Sequence, residues 1–188
     1  MKKILFLILI ISVVVSCKAQ IIAVEDFEEY PNELPDGAYI KDVNGVLNKY
    51  VGTWKGTYNT KSYEFIVVKV TKEDLNLKFK EDLLLIRYKI TDANGVVLEN
   101  TLNLPDDDIG VIKGRYLAKK TGSYVLSYIG KEADCGQKGT VFIGVLNNSN
   151  NKKAKLFLYP STELLDGNKC STWATQILPT EVITLTKQ

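Results

Sequence analysis

Leu83-Leu84-Leu85-Ile86-Arg87-Tyr88-Lys89-Ile90-Thr91, followed by Asp92-Ala93-Asn94-Gly95, reads as a strand running into a tight turn. Leu84, Ile86, Tyr88 and Ile90 fall on one face of an extended chain, and Arg87 and Lys89 fall on the other. That period of two is what a half-buried strand requires. Asn94-Gly95 is a strong hairpin signal, because both residues tolerate the left-handed conformation that such turns need. Residues 96–102 are the return strand.

The same pattern continues in both directions. Upstream, Trp54, Gly56 and Tyr58 alternate with Lys55, Thr57 and Asn59. A turn near residues 59–62 leads into 63–71, rich in β-branched and aromatic residues. Residues 75–79 form a short alternating segment. Downstream, 109–118 and 123–129 pair around Lys120-Thr121-Gly122, and 140–146 pairs with 155–159 around the polar stretch 147–153. Residues 180–186 are the last strand. Only residues 43–50, with Val43, Val46, Leu47 and Tyr50, and a short turn at 161–165 are expected to be helical. The expectation is an all-β fold of nine or ten strands: a single antiparallel meander closing into a barrel, with a β-sandwich as the alternative.

Composition narrows the function classes. The chain has 188 residues, 45% of them hydrophobic, which suits one domain. Lys and Arg number 24 against 22 Asp and Glu. This near balance has no electrostatic footprint for nucleic acid. Histidine is absent, which removes any imidazole base or imidazole metal ligand. No cofactor motif is present, neither a phosphate loop nor a Gly-x-Ser-x-Gly elbow.

Residues 1–16 read as a signal peptide. Lys2 and Lys3 precede residues 4–15, of which Ser12 alone is polar, a run too short for a membrane span. Val14-Val15-Ser16-Cys17 resembles the bacterial lipobox, which implies acylation of Cys17 and a lipid anchor. The alternative is plain secretion with cleavage after Ala19. The expected address is the bacterial cell envelope, lipid-anchored at the outer membrane, periplasm or cell surface. Residues 17–42 then form an acidic tether and irregular lead-in, with Pro31 and Pro35 opposing regular structure, and 43–188 form the barrel. Cys135 and Cys170 remain, and an isolated pair in an oxidising compartment usually forms a disulfide. Buried reduced thiols are the other option.

Leu47-Asn48-Lys49-Tyr50-Val51-Gly52-Thr53-Trp54-Lys55-Gly56 resembles the opening of lipocalins and fatty-acid-binding proteins, where a short turn enters the first strand through Gly-x-Trp. The resemblance implies a lipocalin-like β-barrel of about 8–10 strands. In it, Gly52 would permit the entry, Trp54 would plug the base, and a basic residue of the last strand would lie over the Trp. Here the final strand offers Lys187, at its very end. A second resemblance spans most of the chain. Cys17-Lys18-Ala19-Gln20, Asp36-Gly37-Ala38-Tyr39-Ile40-Lys41-Asp42 and residues 51–56 are similar to a family of small flavobacterial secreted proteins and lipoproteins. That family implies an envelope address and supplies no catalytic residues.

Two features bear on binding. Tyr88, Tyr124 and Tyr128 fall on strand faces with apolar neighbours. They either fill the barrel or line a cavity for a small hydrophobic or amphipathic ligand. Asp106-Asp107-Asp108 offers oxygen ligands for a cation, but lacks the spacing of dedicated sites, and a solvated acidic turn is the simpler reading. The two functional expectations are a non-enzymatic envelope lipoprotein holding a small ligand in its barrel, and an envelope protein–protein interaction or scaffold module acting through its loops.

Overall fold

The computed structural model describes residues 20–30, 34–74, 76, 78–162 and 168–188. The expected leader, Cys17 and most of 161–165 lie outside the described residues. Eleven strands form one sheet. They are β1 (Ile21–Ala23), β2 (Tyr39–Lys41), β3 (Gly52–Tyr58), β4 (Lys61–Asp74), β5 (Phe79–Thr91), β6 (Val97–Asn100), β7 (Ile112–Ala118), β8 (Ser123–Ile129), β9 (Lys138–Val145), β10 (Lys153–Pro160) and β11 (Ile183–Lys187).

Eight of these strands close into an antiparallel barrel in the order β5-β4-β3-β11-β10-β9-β8-β7, with β7 returning to β5. One junction pairs β11 with β3 through Thr186↔Lys55 and Lys187↔Trp54. The other pairs β5 with β7 through Leu85↔Lys113 and Ile86↔Ile112. A barrel leaves no open edge, which is why the meander closes rather than splitting into a sandwich.

The alternation read along the chain sets which face is buried. Trp54, Phe65, Tyr88, Leu126, Ile143, Leu156 and Leu185 belong to one apolar core inside the barrel. A smaller cluster lies outside the wall, where the 101–111 loop covers it: Leu83, Leu85 and Val111, with Val68, Val70 and Leu104 packed against them.

Four local readings change. Of residues 75–79, Leu75 and Leu77 lie outside the described residues: β4 continues to Asp74, β5 begins at Phe79, and Lys78 turns between them with a φ of 55°. Residues 43–50 form successive turns, with Asn48 N–H bonded to Gly45 O and Tyr50 N–H to Leu47 O. Gly45, at a φ of 66°, breaks the helix that the spacing suggested. The return strand after Gly95 shortens to β6. The lead-in, expected to be irregular, contributes β1 and β2, which add to β5 in parallel. Its acids meet Lys119: the ammonium lies 3.1 Å from Asp26 and 2.6 Å from Glu29. Three-residue strands carry too little periodicity to be read without their partners.

Strand β5 shows how the fold meets its backbone demands. One edge pairs with β4 over its whole length. The other edge is served in turn by β2, by the hydroxyl of Tyr124 at Leu84, by β7, by Thr101 at Tyr88, and by β6. Buried N–H groups left without partners would be strongly destabilising.

Candidate functional site

The barrel's two ends are plugged differently. At the first, Leu47 and Tyr50 from the turn before β3 are fully buried against Trp54. The Trp54 indole N–H donates to the Tyr50 carbonyl at 2.6 Å, and the Tyr50 hydroxyl donates to the Gly122 carbonyl at 2.6 Å. Lys187 Nζ stands 5.1 Å from the centre of the Trp54 ring and donates to the Lys49 carbonyl at 3.2 Å. Gly52 has a φ of 131°, and a Cβ there would lie 2.8 Å from Lys187 Cε. Glycine therefore serves both the backbone and the passage of the lysine.

At the opposite end, residues 168–180 fold over the mouth. Leu178 is buried and Ile177 packs on the core. Cys135 and Cys170 are bonded, with Cα atoms 5.5 Å apart. The buried Gln137 donates to the Thr175 carbonyl at 3.0 Å, Gln176 donates to the Gly136 carbonyl at 2.7 Å, and the Tyr63 hydroxyl donates to the Ile177 carbonyl at 3.1 Å.

Between these plugs the described core side chains are buried. A side chain facing a hollow would carry accessible area toward it. Tyr88, Tyr124 and Tyr128 are only 1%, 2% and 1% exposed. Their rings lie edge to face or tilted against neighbours, Tyr88 with Tyr128 at 6.4 Å and Tyr124 with Tyr50 at 6.0 Å. Among the described residues, all three tyrosines pack as buried side chains. Tyr124 also has a structural duty. Its hydroxyl accepts the Leu84 N–H at 3.2 Å, beside Gly114, where a Cβ would come 2.6 Å from that hydroxyl. Burial raises the pKa of all three phenols and of Tyr50, and pushes Tyr63 to about 12 with help from Tyr58. They remain neutral phenols.

The acidic run does not converge on a point. Asp106 pairs with Arg87 at 2.5 Å, and Asp108 accepts the Gly110 N–H at 2.8 Å. The Asp107 carbonyl receives Lys113 at 2.8 Å. Among the described residues no three acidic or cysteine side chains are grouped to hold a metal.

A polar network holds β2 to the barrel. Asp82 accepts Thr71 Oγ1 at 2.6 Å, the Tyr39 hydroxyl at 2.9 Å and the Asp42 N–H at 3.0 Å. Burial would raise the Asp82 pKa. These three bonds and the nearby Lys69 ammonium overcome that and lower it. The neighbouring Glu81 is the opposite case. Burial, reinforced by Asp74 and opposed by Lys72, raises it to about 7.

Residues 1–187 match a family of unknown function, DUF6705. The chain belongs to this family. It has no significant match among curated proteins or among solved structures. Membership thus supplies no inherited site, and the molecule's own surface must be read.

Among the described residues, two concavities of comparable size lie over the wall strands. One, of about 600 Å³, lies over β3, β4 and β11. It holds both Lys55 and Glu64, whose charges approach to 3.7 Å. The other, of about 530 Å³, lies over β8, β9 and β10. Its charged lining is Lys49, Lys120 and Lys155, without a carboxylate, and its floor includes Phe142 and Phe157. The sequence reading missed this second site, because its three lysines are scattered over more than a hundred residues. The outward Phe142 and Phe157 were the available signal.

Proposed function

We propose that this protein is a non-enzymatic recognition module held at the bacterial cell envelope by a lipid on Cys17, and that it works through its outer wall and loops. The observation that carries this reading is the packed interior. Leu84, Ile86, Leu126, Val141, Ile143, Leu156 and Leu185 have no accessible area, and the tyrosines between them have almost none. A ligand enclosed in the barrel would have to displace side chains packed at the density of a protein core. Of the stretches expected to present a surface, 106–108 lies in the segment that covers the wall between β6 and β7, and 147–153 runs from the turn after β9 into the start of β10.

Native mass spectrometry of protein taken from its own cells tests the outer-wall reading. The expected spectrum shows no enclosed small molecule that survives until unfolding; such a molecule would overturn it. Intact-mass analysis tests the anchor. The expected mature chain begins at an acylated Cys17 and partitions with membranes, while Cys17→Ala releases it. A mature mass beginning at Gln20 would overturn the anchor.

A further inference from the structure

We infer that the groove over β8, β9 and β10 is a binding site for a small organic anion with a flat apolar body, such as an aromatic carboxylate or sulfonate. This inference rests on the outer-wall reading and names the chemistry of its ligand.

The floor comes from the ladder. Phe142 on β9 lies directly across from Phe157 on β10, and Gly144 lies across from Lys155. The two rings stack with centres 4.9 Å apart and planes 12° from parallel. Both point outward from the barrel and are partly buried, neither fully covered nor fully exposed. Gly144 keeps the floor low beside them: a Cβ there would sit 3.1 Å from Ser123 Oγ. An apolar aromatic surface left in contact with water favours a partner that covers it.

The charges decide what kind of partner. Several surface cations meet acids: Lys119 meets Asp26 and Glu29, Lys69 meets Asp42, Arg87 meets Asp106 and Lys131 meets Glu99. At the groove, Lys120 and Lys155 have no carboxylate partner among the described residues. Lys49 lies 5.1 Å over the ring of Tyr50 and has none either. Three like charges around one concavity create a positive potential that an anion relieves. The hydroxyls of Thr121 and Ser123 and the amide of Asn147 line the same groove and can donate to that anion. A metal cation is disfavoured by the same charges. An uncharged apolar ligand would cover the rings but leave the lysines unanswered.

The test uses the disulfide-bonded mature chain, with 2-naphthalenesulfonate as probe, its neutral alcohol analogue and its amine analogue as controls, and two-dimensional amide NMR as readout. The expected shifts are confined to Ser123, Phe142, Gly144, Lys155, Phe157 and their neighbours. The sulfonate should bind at least about tenfold tighter than the neutral analogue, and that advantage should shrink as salt rises. Lys120→Glu with Lys155→Glu should lower sulfonate affinity at least about tenfold while leaving the alcohol analogue's binding unchanged. Both lysines are exposed, so the thermal transition of the variant should match that of the parent. Equal binding of sulfonate and alcohol, unchanged affinity in the double variant, or shifts centred on the barrel ends would each overturn the groove. An enclosed ligand in the native mass spectrum would instead overturn the outer-wall reading, and leaves the sulfonate comparison to be judged by its own result.

Discussion

The two ends of the barrel close by opposite means. At one end a few residues close in sequence do most of the work. Leu47, Tyr50 and Trp54 are fully buried, the Trp54 bond to Tyr50 spans only four residues, and Lys187 arrives over the indole from the last strand. At the other end the segment 168–180 brings little apolar surface. Leu178 is buried, but Trp173 is 53% exposed. That end is held by a covalent bond across 35 residues and by side chains donating to distant carbonyls. An end with large apolar side chains can rely on burial. An end without them needs its unfolded alternatives removed, which is what a crosslink does.

The sharpest way to break this contrast is Trp54→Ala. Removing the largest buried side chain of the first end should lower stability by about 3–5 kcal/mol, read from urea unfolding. A loss below about 1 kcal/mol would mean that burial is not what closes that end. Next comes the paired change Cys135→Ser with Cys170→Ser. It should lower stability by about 2–4 kcal/mol. Hydrogen exchange should speed up over 168–180 and stay slow around Trp54. Faster exchange at both ends would show that the two plugs are not independent.

A third measurement uses pH. Glu81 lies on β5 beside β2, on the Trp54 side of the barrel, and its pKa is raised to about 7 by burial first, then Asp74. The folded state therefore holds this proton more tightly than the unfolded chain does. Its contribution is fully present below the ordinary carboxylate pKa, is lost as pH rises to about 7, and is flat above that. Because the group is partly solvated, the loss should be on the order of 1 kcal/mol. Glu81→Gln should abolish that slope. A slope that persists in the variant would place the titration elsewhere. The smallest expected effect is Lys187→Met, about 0.5–1 kcal/mol, from the lost contact over Trp54 and the lost bond to the Lys49 carbonyl. A neutral result would leave the apolar plug sufficient by itself.

The same contrast explains what could be read early. The Trp54 end was legible because its parts are neighbours in the chain: Gly52 and Trp54 sit two apart, and Tyr50 precedes them. At the other end only the cysteines were visible. Gln137 and Gln176 reach partners 38 and 40 residues away, and no local pattern marks such residues. The tyrosines were placed on the correct strands, but alternation cannot separate a filled barrel from a hollow one. That depends on how large the side chains are relative to the space left when eight strands close.

The sequence by itself determined the all-β class, the inward faces of the long strands, the Trp54 plug and the candidate disulfide. The class and faces follow from periodicity, the disulfide from cysteine count, and the plug from the resemblance of residues 47–56 to a lipocalin opening, all of them local or compositional signals. Only the tertiary structure decided that β5 would take five successive partners along one edge, that Tyr124 and Gly114 would complete its seam with β7, and that Lys49, Lys120 and Lys155 would gather beside Phe142 and Phe157. The physical reason is that a strand's own sequence sets which way its side chains point, whereas its neighbours across the ladder are set by closure of the whole barrel.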